Sequence, residues 1–131
     1  MTRINVAIPP KELCRQHLLA ETREIKRIPN LIAKGKYKLT NIPPHFKLGT
    51  GHVTFFYNKL LYLKNRYEEL YQECVERKYN PTYFGNAWDN LPPHLMNDYT
   101  PTEQDRLIVQ QRINESLLRM ATKKAKKNAN N

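Results

Sequence analysis

Apolar positions recur every three or four residues in three stretches of the chain, and each stretch predicts a helix. The first opens at Pro9-Pro10, where proline's missing N–H suits an opening turn, and reads as helical to about Ile28. Pro29 disturbs it and Gly35 supplies the final stop. Leu18, Thr22 and Ile25 form its apolar stripe. At 100° per residue, Leu13, His17, Ala20, Glu24 and Arg27 fall within about 80° of one another beside that stripe. His17 and Glu24 are therefore expected at the edge of the buried face. The second helix is expected from about Phe56 to Arg77, with Leu60, Leu63, Tyr67, Leu70, Tyr71 and Cys74 marking its core side. Thr100-Pro101-Thr102-Glu103 reads as a capping box with proline at the first helical position, and it predicts a third helix to about Met120.

The intervening segments are long. Residues 34–47 form a basic loop, and residues 79–99 are rich in proline and aromatics, with Tyr83, Phe84, Trp88 and Pro92-Pro93. Some twenty residues without an element is long for a compact domain, so this connection is expected to pack as an ordered loop. The fold expected is all-α: one compact domain of about three main helices joined by long ordered loops. It should occupy residues 1–121, with residues 122–131 as a basic, flexible tail.

The chain's 131 residues give one modest core, and 22 Lys+Arg against 12 Asp+Glu leave a net charge of +10. That balance favours a polyanionic partner, nucleic acid before an acidic membrane. The excess is uneven. Residues 1–66 hold 13 basic and 3 acidic side chains, residues 67–118 hold 4 and 9, and residues 119–131 hold 5 and none. One basic face and a cationic end are expected, rather than a uniformly charged surface. Cys14 and Cys74 are expected to be reduced thiols in an intracellular, cytoplasmic protein, a single disulfide being the alternative. No stretch reads as a signal peptide or a membrane span, and no membrane partner is expected.

Several chemistries lack their residues. The four histidines, at 17, 45, 52 and 94, show no metal-ligand spacing, so no metal is expected. Leu48-Gly49-Thr50-Gly51-His52 is neither a Walker loop nor a dinucleotide fingerprint, and it reads first as a turn. No serine elbow occurs. What remains is a terminal amine, a carboxylate and many cations. Initiator methionine is normally removed before a small side chain, which would leave the α-amine of Thr2. At pH ~7.4 roughly a quarter of such amines are unprotonated, against about 0.1% of lysines, so the terminus is a ready nucleophile for Schiff-base chemistry. An amine that attacks a sugar C1′, a carboxylate that moves protons and cations that hold phosphates would suit chemistry on DNA.

Three blocks carry a resemblance. They are Met1-Thr-Arg-Ile-Asn5; Gln16-His17-Leu-x-Ala-Glu21-x-Arg23-Glu24 with Arg27; and Leu48-Gly-x-Gly51-His-Val-Thr-Phe-Phe-Tyr57-x-Lys59-Leu60. With Asp98-Tyr99-x-Pro101 and Arg112, they resemble the phage-type pyrimidine-dimer DNA glycosylases, over residues 1 to about 118. The resemblance implies a helical single domain acting as a glycosylase with coupled abasic-site lyase activity. It implies Thr2 as the amine nucleophile and Glu24 as the catalytic carboxylate. Arg3, Gln16, His17, Arg23, Arg27 and Arg112 would hold the DNA. It further implies no metal or organic cofactor, a lesion-bearing double-stranded DNA substrate and a monomer, such as a phage-encoded protein acting in its host.

The chain departs from that family pattern at three points. The segment between the first helix and the Gly-x-Gly turn is shorter and holds Pro29, and Ser116 replaces a basic residue. The aromatic-rich tail of the family is replaced by Ala121-Thr-Lys-Lys-Ala-Lys-Lys127. Two alternatives stay open: the same chemistry on another modified base, and a non-catalytic DNA-binding protein.

Overall fold

The computed structural model describes residues 1–129. It holds five α-helices, α1 (Arg15–Glu24), α2 (Arg27–Ala33), α3 (His52–Phe55), α4 (Leu60–Glu76) and α5 (Glu103–Ala129), with 3₁₀ turns at Pro10–Glu12, Gly85–Trp88 and Pro93–Leu95. Among the described residues there is no strand, so the all-α expectation stands.

The first expected helix is three pieces. Pro10–Glu12 is only a 3₁₀ turn, and Leu13 is extended before α1 begins. The guanidinium of Arg77 makes that break tolerable, because its Nη2 donates to the carbonyls of Pro10, Lys11 and Leu13 at 3.2, 3.2 and 2.9 Å. The second break falls at Ile25–Lys26, upstream of Pro29. A proline cannot donate to the carbonyl four residues back and its ring crowds that oxygen, so Pro29 ends the ladder at residue 25. Pro29 then lies in the first turn of α2, where no donor is required. Gly35 is the stop the sequence predicts. With φ of +71° its N–H bonds Ile32 O, while Lys36 N–H reaches back to Leu31 O, the paired contacts of a Schellman end.

α4 starts later than expected, the segment before it being the short α3, and its core face is as read except that Tyr71 is half-buried and Arg66 joins it. Leu60, Leu63, Tyr67, Leu70 and Cys74 are all buried. The residues 79–99 pack as an ordered connection that buries Trp88, Leu91 and Leu95. The cap of α5 lies two residues beyond the expected one. Asp105 N–H bonds Thr102 Oγ1 at 3.1 Å and Thr102 N–H bonds Asp105 Oδ2 at 3.0 Å, so Thr102 and Asp105 form the box. The far end of α5 also differs from the expected stop near Met120. Residues 121–129 contain no glycine or proline and are rich in alanine and lysine, and the helix continues through them. The last two residues of the expected tail, 130 and 131, lie outside the described residues.

The segment before α1 belongs to the core. Ile4, Val6 and Ile8 are buried with Leu18, Ile25 and the α4 face in one cluster. The cysteines are free, Cys74 buried and Cys14 partly so.

Candidate active site

Placement of the first residues begins with His52. Gly51 takes φ of +94° and ends the Gly-x-Gly turn, which delivers the imidazole into the core as the first residue of α3. Its Nδ1 lies 2.9 Å from Lys47 O, so that nitrogen donates, and Nε2 accepts the N–H of Ile4 at 2.9 Å. Burial pushes the ring's pKa down to about 4, which keeps it neutral and in the tautomer that both contacts require. The Gly-x-Gly segment is thus a turn with a structural purpose.

One residue on, Asn5 joins a buried ionic network. Arg66 grips Glu21 with both arms, Nε to Oε2 at 2.8 Å and Nη2 to Oε1 at 3.0 Å. Its remaining Nη1 donates to Ile8 O at 2.6 Å. Asn5 Nδ2 donates to Glu21 Oε1 at 2.8 Å, and its Oδ1 accepts from Arg112 Nη2 at 2.8 Å. Side-chain exposure is 4% for Arg66 and 1% for Glu21. Such a pair is costly to bury, yet every arm here has a partner. The network ties the initial segment to α1, α4 and α5 at once.

Held at residues 4, 5 and 8, the chain end lies along α1. The N–H of Arg3 donates to Glu24 Oε1 at 3.3 Å, and Arg23 Nη2 stands 3.5 Å from Glu24 Oε2. Arg27 Nη1 approaches Met1 O at 3.5 Å. A cavity of about 290 Å³ opens here, lined by Met1, Arg3, His17, Glu24 and Arg112 among others. Across it His17 Nε2 meets Ser116 Oγ at 2.9 Å, which joins α1 to α5. Burial, then the charges of Arg112 and Arg3, lower the pKa of His17, so the imidazole is neutral at pH 7. Burial and Arg3 lower that of Arg112 to about 10.

Of the residues expected from sequence, Arg3, His17, Glu24 and Arg112 share this cavity, with Thr2 immediately before the amide that meets Glu24. Arg23 and Arg27 are exposed at its rim, and Gln16 is exposed on α1 without lining it. The buried network of Glu21, Arg66 and Asn5 and the anchoring role of His52 do not follow from the sequence reading, although Asn5 and Glu21 lie within its motif blocks. A signal for two of them existed: Glu21 falls between Leu18 and Ile25, and Arg66 between Leu63 and Leu70, at core-facing spacing.

Fold and cavity together define a small helical protein whose chain end borders a carboxylate within a cationic cleft. Residues 1–84 match the family model for pyrimidine dimer DNA glycosylase, and the chain belongs to that family. Membership gives it the role of a DNA glycosylase in DNA repair, with DNA as substrate. Among the described residues no helix is long and apolar enough to cross a membrane.

Proposed function

We propose that the protein excises bases from lesion-bearing duplex DNA, foremost pyrimidine dimers, by forming an imine through the α-amine of Thr2, and then cleaves the strand by β-elimination. The observation that carries this reading is the Arg3 amide donating to Glu24, which brings the backbone beside residue 2 against a carboxylate in a cationic cavity. Once Met1 is removed, the amine lone pair attacks C1′ and the bond from C1′ to the base nitrogen breaks, its electron pair leaving with the base. Glu24 takes a proton from the new C1′ ammonium and returns one to the ring oxygen as the sugar opens to the imine. Loss of a C2′ proton then expels the 3′ phosphate oxygen. Arg3, Arg23, Arg27 and Arg112, with Gln16 and the neutral His17, hold the phosphates and the displaced nucleotide. Neither a metal nor an organic cofactor enters these steps, and one chain carries all the groups they use.

Borohydride reduces imines to stable amines and tests this directly. Protein incubated with abasic or dimer-containing duplex should be trapped on DNA through a peptide beginning at Thr2. Acetylating the terminus, or inserting one residue before Thr2, should abolish trapping, whereas Thr2→Ser should retain it. Attachment through an internal lysine would overturn the assignment, and absence of both trapping and strand cleavage would leave DNA binding without catalysis. A second reading, the same chemistry on another modified base, draws support from residues 121–131, which hold no aromatic side chain where the family pattern has several. Comparing dimer-containing duplexes with otherwise modified ones separates the two.

A further inference from the structure

Helix α5 continues past its last buried residue, Ile113, and residues 121–128 are all exposed. Steps of four and three residues carry one helical stripe from Arg112 through Ser116 and Arg119 to Lys123 and Lys126, with Lys127 beside it. The first two members line the active-site cavity. Arg119, Lys123 and Lys126 share a shallow groove further along. No acidic residue follows Glu115, so Arg119–Lys123, Lys123–Lys127 and Lys124–Lys127 face like charges at helical neighbour spacing. Such pairs destabilise a helix unless an external anion compensates them.

From this we infer that α5 is a phosphate rail, a second DNA contact continuous with the cavity that grips the duplex on one side of the lesion. The inference rests on the reading of the cavity as the lesion site. Fourteen residues from Arg112 to Lys126 span about 21 Å of helix, which matches the axial run of about six phosphates along one strand. The occupant is double-stranded DNA because the stripe extends a cleft whose family substrate is DNA. Because it meets phosphates alone, the rail adds affinity without reading sequence or lesion.

The test relocates charge without changing it. A variant with Lys123→Ala, Lys126→Ala, Ala121→Lys and Ala125→Lys keeps net charge and helix-forming residues, but moves two cations to the opposite face. Binding to undamaged duplex is measured against salt, and circular dichroism verifies that helicity is retained. The log–log slope should become shallower by about 2, at roughly 0.9 for each phosphate no longer neutralised. With lesion duplexes of graded flanks, wild-type affinity should fall as one flank, and only one, is trimmed below about six base pairs. The relocated variant should lose that dependence. An unchanged slope with unchanged flank dependence overturns the rail, as does a variant defect seen only on anionic vesicles. Failure of the wild-type protein to cleave any lesion would instead refute the catalytic reading, and the salt slopes on undamaged DNA would still decide the rail.

Discussion

Ile4 and His52 share a 2.9 Å hydrogen bond in which a neutral imidazole accepts a backbone N–H inside the core. The bond anchors the chain well before the first helix, one residue from the Arg3 amide that meets Glu24. Protonation would remove the acceptor and place a cation near Arg112 and Arg3, the charged groups that already oppose it.

Stability should accordingly fall in mild acid. The folded pKa of His52, about 4, lies below the usual 6.5, so the unfolded chain binds the extra proton between those values. The contribution is complete above about pH 6.5, is lost as pH drops towards 4, and amounts to roughly 3 kcal/mol. Denaturant unfolding measured across this window should show the slope, and His52→Gln should flatten it. An equal slope in the variant would assign the acid sensitivity elsewhere.

Glu24→Gln removes the carboxylate charge at nearly constant shape. Base excision and strand cleavage should fall at least a hundredfold, the scale of a missing acid–base group, with duplex affinity retained. Single-turnover cleavage beside a binding titration separates the two quantities. Near-normal turnover would exclude the proposed role.

Breaking the Glu21–Arg66 pair should be far more damaging to the fold than its charge count suggests. Glu21→Ala strands a buried guanidinium and should cost about 3–5 kcal/mol. A double variant, Glu21→Leu with Arg66→Met, should regain much of that, because no charge is then left unpaired. Its catalysis should remain impaired, since Asn5 and the Ile8 carbonyl lose the partners that hold the initial segment. Thermal melts and cleavage assays on the same preparations give both readouts.

Lys78 occupies the position after the end of α4 with φ of +62°, where Tyr79 N–H bonds Cys74 O and Lys78 N–H bonds Val75 O. This is the place most helices give to glycine. Lys78→Gly should raise stability by up to about 1 kcal/mol, visible as a higher Tm with unchanged activity. A lower Tm would mean that the lysine side chain contributes more than its backbone costs.

Much of this architecture was legible because periodicity is a local property. The α4 face and the Gly35 stop were read directly, and the start of α5 was missed by two residues because Thr100 and Thr102 both offer a capping hydroxyl. The break after Glu24 was missed because Ile25 and Ile28 keep the helical phase across it, while the proline that causes it sits several residues downstream. Motif likeness and chemistry point to Glu24, Arg3 and Arg112, and the fold places the three at one cavity. The network behind them was not legible, since Glu21 and Arg66 are 45 residues apart and Asn5 and Arg112 are 107 apart. Helical spacing marks a position as facing inward. It does not say which distant charge will meet it there.

Those separations also set an order in time. Synthesis delivers residues 1–8 first, yet the imidazole that fixes Ile4 comes 48 residues later, the guanidinium that reaches Ile8 comes 58 later, and the one that meets Asn5 comes 107 later. Until those residues emerge the segment lacks the contacts that fix it, and Arg112 joins Glu24 and His17 beside it only when α5 docks. Residues 1–8 therefore complete their contacts only with the last helix, and the chemistry proposed for residue 2 depends on completion of the fold.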